Sequence, residues 1–198
     1  PDQRTFVATD DGDPVGICQG VRLSDHEAWA QGMRVAPDYR GSGLSRTLND
    51  ALFDWAADGG ATVCRNMVFS WNVAGLGAAR AVGFDPACEF RWAHTTPDPD
   101  ADADTDLTVT HDPDAAWSYW VRSEARESLR GLALDVDETW ACSELTRDRL
   151  HRAADETAVL AVQAPGREGG TRGLAYRVRD YVREDGEGNR WAEYGVGA

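Results

Sequence analysis

Two glycines in Arg40-Gly41-Ser42-Gly43 join a strand-like run to a helix, and that junction limits the possible folds more than any other part of the chain. Residues 28–35 read as a strand closed by Pro37. After the turn, Leu44, Leu48, Ala51, Leu52, Trp55 and Ala56 recur on one apolar helical face. Asn49, Asp50, Asp54 and Asp58 fill the wet side, and Gly59-Gly60 stops the helix. Such a turn lets successive backbone N–H groups point inward together, at the partly positive end of the helix. That geometry cradles a pyrophosphate, although two glycines alone are equally consistent with a plain turn.

Composition narrows the chemistry. All 20 basic residues are Arg, against 34 acidic ones, for a formal net charge of −14. Without Lys there is no Walker-type phosphate loop and no Schiff-base amine. Arg34, Arg40 and Arg46 remain as local positive charge able to reach phosphate oxygens. The acidic balance argues against a nucleic-acid partner, which needs a basic face. It resembles the composition of a halophile protein, whose self-repulsion is screened by molar salt. No apolar run approaches the roughly 20 residues of a membrane span. No basic-then-apolar leader opens the sequence, so a soluble, cytoplasmic protein is expected. The 4 Cys and 4 His residues are scattered without ligand spacing, so neither a metal site nor a disulfide framework is expected. Cys18 and Cys64 lie in strand-like runs and read as core thiols.

The remaining elements alternate. Residues 5–9 and 15–23 read as a hairpin around an Asp-Asp-Gly-Asp turn, 62–69 as a strand, 72–82 as a short helix ended by Gly83, and 87–93 as a further strand. Residues 95–106 are acidic and without apolar periodicity, a solvated linker. Beyond it come a short strand at 107–110, a helix at 115–130 carrying Trp117 and Trp120, and a second helix up to 154 with Ser143 as cap. Strands at 158–164, 174–182 and 191–196 follow. Trp29, Trp71 and Trp92 read as core or pocket wall. Arg122, Arg126 and Arg130, with Glu127, read as one charged helix face.

The pattern Val35-x-Pro37-x-x-Arg40-Gly41-x-Gly43-Leu44 resembles motif A of the GNAT acetyltransferases, and Asn72 followed by Gly83-Phe84 resembles their motif B, in the right order and at the right spacing. The resemblance implies an α/β (α+β) fold with a mixed sheet flanked by helices and splayed open between the strands at 28–35 and 62–69. Acetyl-CoA would be the acyl donor and an amine the acceptor, with no metal. The pantetheine arm would lie along the backbone of Met33, Arg34 and Val35. The backbone of Arg40, Gly41, Ser42, Gly43, Leu44 and Ser45 would hold the pyrophosphate. Asn72 would contact the pantetheine arm or help place the acceptor.

Two departures bear on catalysis. Ser45 stands where the family's last motif A glycine or alanine is usual, and Ala79 where it often has a Tyr that protonates the leaving thiolate. Glu27 is the one carboxylate close upstream of Met33, a candidate base or else a solvated strand-end charge. The resemblance implies an N-acetyltransferase, with a catalytically weak acyl-CoA-binding module and an unrelated α/β binding protein as alternatives. By element order, residues 1–94 are expected to be the C-terminal part of a GNAT domain with the acyl-CoA site, 95–106 an acidic linker, and 107–198 the N-terminal half of a second GNAT-like domain, as in a fragment of a tandem protein. Each half lacks what the other has. The Trp117/Trp120 face is therefore expected to pack on residues 1–93, within a chain or between chains of a homo-oligomer.

Overall fold

In the computed structural model, residues 2–98, 100, 105–166, 169–182 and 188–197 are described. They divide into two compact units, Pro1–Pro86 with Asp137–Ser143, and Ala87–Val136 with Glu144–Ala198.

In the first unit, β1 (Gln3–Asp10) and β2 (Asp13–Arg22) form an antiparallel hairpin, and β3 (Glu27–Val35) pairs antiparallel with β2. A 3₁₀ turn at Pro37–Tyr39 leads to α1 (Leu44–Asp58), then β4 (Val63–Arg65) and α2 (Val73–Ala81). The sheet order is β1-β2-β3-β4, with β4 parallel to β3. α1 lies on this sheet: Leu48, Leu52 and Ala56 are buried as expected, whereas Asn49, expected on the wet side, is buried and Ala51, expected on the apolar face, is exposed. Cys18, Ala30, Leu48 and Leu52 form a core joined by Phe6, Met33, Leu44 and Phe84. The helix sits close because Gly20 has no side chain. A Cβ there would meet the Trp55 ring at 2.6 Å. Phe84 closes the far side, its ring 5.4 Å from that of Phe53 in an edge-to-face contact.

In the second unit, β5 (Thr108–Thr110) precedes α3 (Pro113–Trp120), α4 (Glu124–Ser128), β6 (Leu132–Leu134) and α5 (Arg147–Glu156), and the short β7 (Cys142–Glu144) runs across the boundary after Ser143. β8 (Val159–Ala164), β9 (Gly170–Val182) and β10 (Arg190–Gly197) complete an antiparallel sheet of order β10-β9-β8-β5. Asp112 caps α3 by accepting from the amides of Asp114 and Ala115, with Pro113 in the first turn, and Thr146 caps α5 by accepting from Arg149. Trp120 is buried in a core with Ala116, Leu150, Val159, Leu174 and Tyr176. The Trp120 face, expected to need residues 1–93 as cover, is thus covered by its own unit.

Four further expectations are corrected. Residues 87–93 form no strand; Phe90 and Trp92 instead pack edge to face at 5.7 Å. The strand expected at 62–69 is confined to β4, because beyond Arg65 the chain leaves the sheet. The long helix at 115–130 is broken. Ser123 donates its hydroxyl to the Trp120 carbonyl at 2.9 Å and accepts from the Arg126 amide at 3.1 Å, so it ends one helix and starts another. Arg122 therefore falls outside both helices and Arg130 takes φ 54°, and the three arginines do not form one face. Ser143 lies on β7 rather than capping a helix. Of the acidic linker, residues 99 and 101–104 lie outside the described residues; 95–98 and 105–106 have no regular structure.

Candidate functional site

β3 and β4 are paired only through Glu27–Val63, Ala28–Cys64 and Trp29–Arg65. β3 then continues to Val35 while residues 66–69 follow another course. Beyond Trp29 the β4-facing edge of β3 has no strand partner among the described residues. A bulge sharpens the divergence. β2 advances from Ile17 to Gln19 while β3 spans Arg34 to Gln31, one residue more, and Gly32 takes φ 66° there, which a side chain would strain. The backbone of Met33, Arg34 and Val35 lies on this open stretch, with the Met33 side chain packed into the core.

The glycine turn follows. Gly41 and Gly43 have φ 78° and 88°, so both are left-handed, and space is open around each Cα. Ser42 donates its hydroxyl to the Tyr39 carbonyl at 2.6 Å, and Tyr39 donates its own to the Asp10 carboxylate at 2.5 Å. That bond to Asp10 raises the Tyr39 pKa, so the ring stays a neutral donor tying the turn to the β1–β2 hairpin. Gly43 provides no side-chain cap for α1, and the first helical turn holds no acidic residue. The amides of Gly41, Ser42, Gly43, Leu44 and Ser45 have no acceptor in the chain among the described residues. A row of exposed donors at a helix start, beside a side-chain-free surface, fits an anion that the backbone itself can hold.

The expected arginines are placed differently from one another. Arg34 donates to the Met33 carbonyl at 2.9 Å and Arg40 to the Val35 carbonyl at 3.4 Å, both exposed beside the turn. Arg46 donates to the Ala81 carbonyl, pinning α1 to the end of α2.

Glu27 and Asn72 have hydrogen-bond partners within the chain. Glu27 is not a solvated strand-end charge. It is 1% exposed, accepts from Arg65 at 2.6 Å and from the Ser24 hydroxyl at 3.0 Å, and sits where β3 and β4 are still paired. Asn72 accepts from the Gly75 amide at 3.0 Å and so caps α2. Trp29 is buried as expected, but Trp71 is 75% exposed. Burial pushes the thiol of Cys18 up to about 11 and that of Cys64 up to about 12. Neither supplies a thiolate near neutral pH.

Sequence reasoning missed two features. Gln31 donates from its Nε2 to Gln19 at 2.9 Å and to Glu138 at 3.0 Å, the latter 107 residues away in sequence. Phe69 stacks on Trp71 at 5.2 Å and meets Trp140 edge to face at 5.8 Å. No local pattern signals either contact.

A sheet that opens between β3 and β4, with a row of unpartnered amides at the head of the following helix, defines an α/β domain that exposes backbone donors beside an open strand edge. Residues 1–84 match the profile of the Acetyltransferase (GNAT) family, so this part of the chain is a GNAT acetyltransferase domain. The family matched over this stretch is one of acetyltransferases. Among solved structures, the aminoglycoside N-acetyltransferase AAC(6')-Iy, in complex with the bisubstrate analog CoA-S-monomethyl-acetylneamine, aligns at 19% identity over 48% of this chain and 70% of its own, with a TM-score of 0.43. An aminoglycoside 6'-N-acetyltransferase from Acinetobacter haemolyticus aligns at 18% identity over 48% and 72%, also at 0.43. A putative acetyltransferase from Agrobacterium tumefaciens aligns at 19% over 48% and 70%, with the same score. No curated protein matches the sequence.

Proposed function

We propose that the chain transfers an acetyl group from acetyl-CoA to an amine by direct attack within a ternary complex. The observation that carries this reading is the row of unpartnered amides at residues 41–45, next to the open edge of β3. The cradle would take the pyrophosphate, and the backbone of Met33, Arg34 and Val35 the pantetheine amides. When bound, acetyl-CoA supplies a thioester carbonyl open to an amine. Burial pushes the Cys18 and Cys64 thiols up, which argues against either of these two as an acyl carrier.

Calorimetric titration with acetyl-CoA is the test. Gly43→Glu places bulk and negative charge in the cradle and is expected to abolish binding on folded protein. Unchanged affinity would overturn the reading.

A second reading, an acyl-CoA-binding module with little turnover, is favoured by Ala79 in the place of a Tyr acid and by the occupation of Glu27 with Arg65. Turnover against a panel of primary amines separates the two. We also propose the division into residues 1–94 as the C-terminal part of a GNAT domain, 95–106 as a linker, and 107–198 as the first half of another. A strand followed by helices α3 and α4, and the closing run of strands β8 to β10, support it, with the short β6 and β7 and helix α5 between them.

A further inference from the structure

The turn at residues 138–140 belongs to the first unit although it lies far beyond the family-matched stretch. The Ala141 amide closes it onto the Glu138 carbonyl at 3.3 Å. It touches both strands that part company. Glu138 accepts from Gln31 on β3, just past the last β3–β4 pair, and the Trp140 ring meets Phe69 on the run leaving β4. The turn therefore spans the place where the gap between β3 and β4 begins.

Its chemistry is specific. Trp71 is 75% exposed yet stacked on Phe69, whose plane lies within 10° of its own, and Trp140 is 43% exposed. Trp140 also holds φ 69°, a left-handed conformation unfavourable for a bulky residue and seen chiefly where surrounding structure enforces it. Aromatic faces left in water, with Trp140 on the same turn as the Glu138 carboxylate and in a chain of net charge −14, attract an organic cation through the ring quadrupole and direct ion pairing.

We propose that Glu138, with Phe69, Trp71 and Trp140, forms the acceptor subsite, and that it selects an ammonium group carried on an apolar or planar body. The proposal rests on the acetyl-transfer reading. It makes the turn from beyond the family-matched stretch the specificity element of the domain. Gln31 is a positioning residue, fixing the carboxylate over the mouth of the gap.

The test uses the 198-residue chain, with phenethylamine as probe and phenethyl alcohol as its uncharged counterpart. Binding is read by tryptophan fluorescence without acetyl-CoA, and KM and kcat for acetyl transfer are read with it. The amine is expected to bind at least about tenfold more tightly than the alcohol. Glu138→Gln should remove that preference and raise KM more than it changes kcat, while leaving acetyl-CoA affinity unchanged. Trp71→Ala, at an exposed position that the fold does not need, should weaken amine binding about tenfold. Equal binding of amine and alcohol, or wild-type amine affinity in both variants, would overturn the proposal. Failure of acetyl-CoA to bind in a separate calorimetric titration would overturn the transferase reading instead, and the amine-binding result would stand apart from it.

Discussion

Glu27 shows how far burial changes the meaning of one residue. Its side chain is held between Arg65 and Ser24, and Arg65 is itself only 17% exposed on its side chain. Removing one partner of such a pair leaves a charge in a poorly solvated place, at a cost of about 3–5 kcal/mol. Glu27→Gln is therefore expected to lower stability by roughly that amount in denaturant melts. Replacing both partners, as in Glu27→Gln with Arg65→Met, should recover much of the loss, because no buried charge is then stranded. A double variant that is stable but loses kcat by orders of magnitude would show that Glu27 also serves as base. At the thiols the sign is plain: burial favours the neutral form, so alkylation of Cys64 by iodoacetamide should be slow at pH 8 on folded protein and fast after unfolding. Rapid modification of Cys64 in the folded chain would contradict the desolvation of this thiol.

At the scale of elements, Asn72 separates two roles that one residue can hold. As the cap of α2 it satisfies the Gly75 amide, so Asn72→Ala should cost about 1 kcal/mol, and Asn72→Asp should restore most of it. Acetyl-CoA affinity decides the rest. If Ala and Asp weaken it equally, the amide itself touches the cofactor; if Asp restores it, Asn72 acts by holding α2. The first unit was legible in the sequence because its signals are local: period-two strands, the Asp10–Asp13 turn, the apolar stripe of α1, and glycines whose left-handed angles the structure bears out. The splay was legible only through the family resemblance, since no residue at 66–69 says that the strand should stop after Arg65. The break at Ser123 was hidden because Trp117, Trp120, Val121, Ala125 and Leu129 keep an apolar rhythm across it. A hydroxyl competing for the backbone outweighs that rhythm. The pairing of Gln31 with Glu138 was invisible for another reason: a contact across 107 residues leaves no periodicity behind.

For the whole molecule, the dominant quantity is charge. Thirty-four acidic residues against 20 arginines leave −14, and ion pairs such as Glu27–Arg65, Asp135–Arg149 and Arg147–Asp114 neutralise only part of the acidic excess. At about 0.1 M salt the screening length is roughly 10 Å, long enough for neighbouring carboxylates on one surface to repel; at 1 M it is about 3 Å, shorter than their usual spacing. Unfolding spreads these charges apart, so low salt favours the unfolded chain and high salt removes that advantage. The melting temperature is therefore expected to rise as KCl goes from about 0.1 M to several molar. NaCl at equal ionic strength should reproduce the rise, whereas sucrose, which strengthens burial without screening, should not reproduce its steep early part. Buried ion pairs are screened much less, so Glu27→Gln should shift the whole curve down without changing its slope. A melting temperature that is flat or falls across this range would mean that self-repulsion does not limit the fold, and the acidic composition would then need another physical cause.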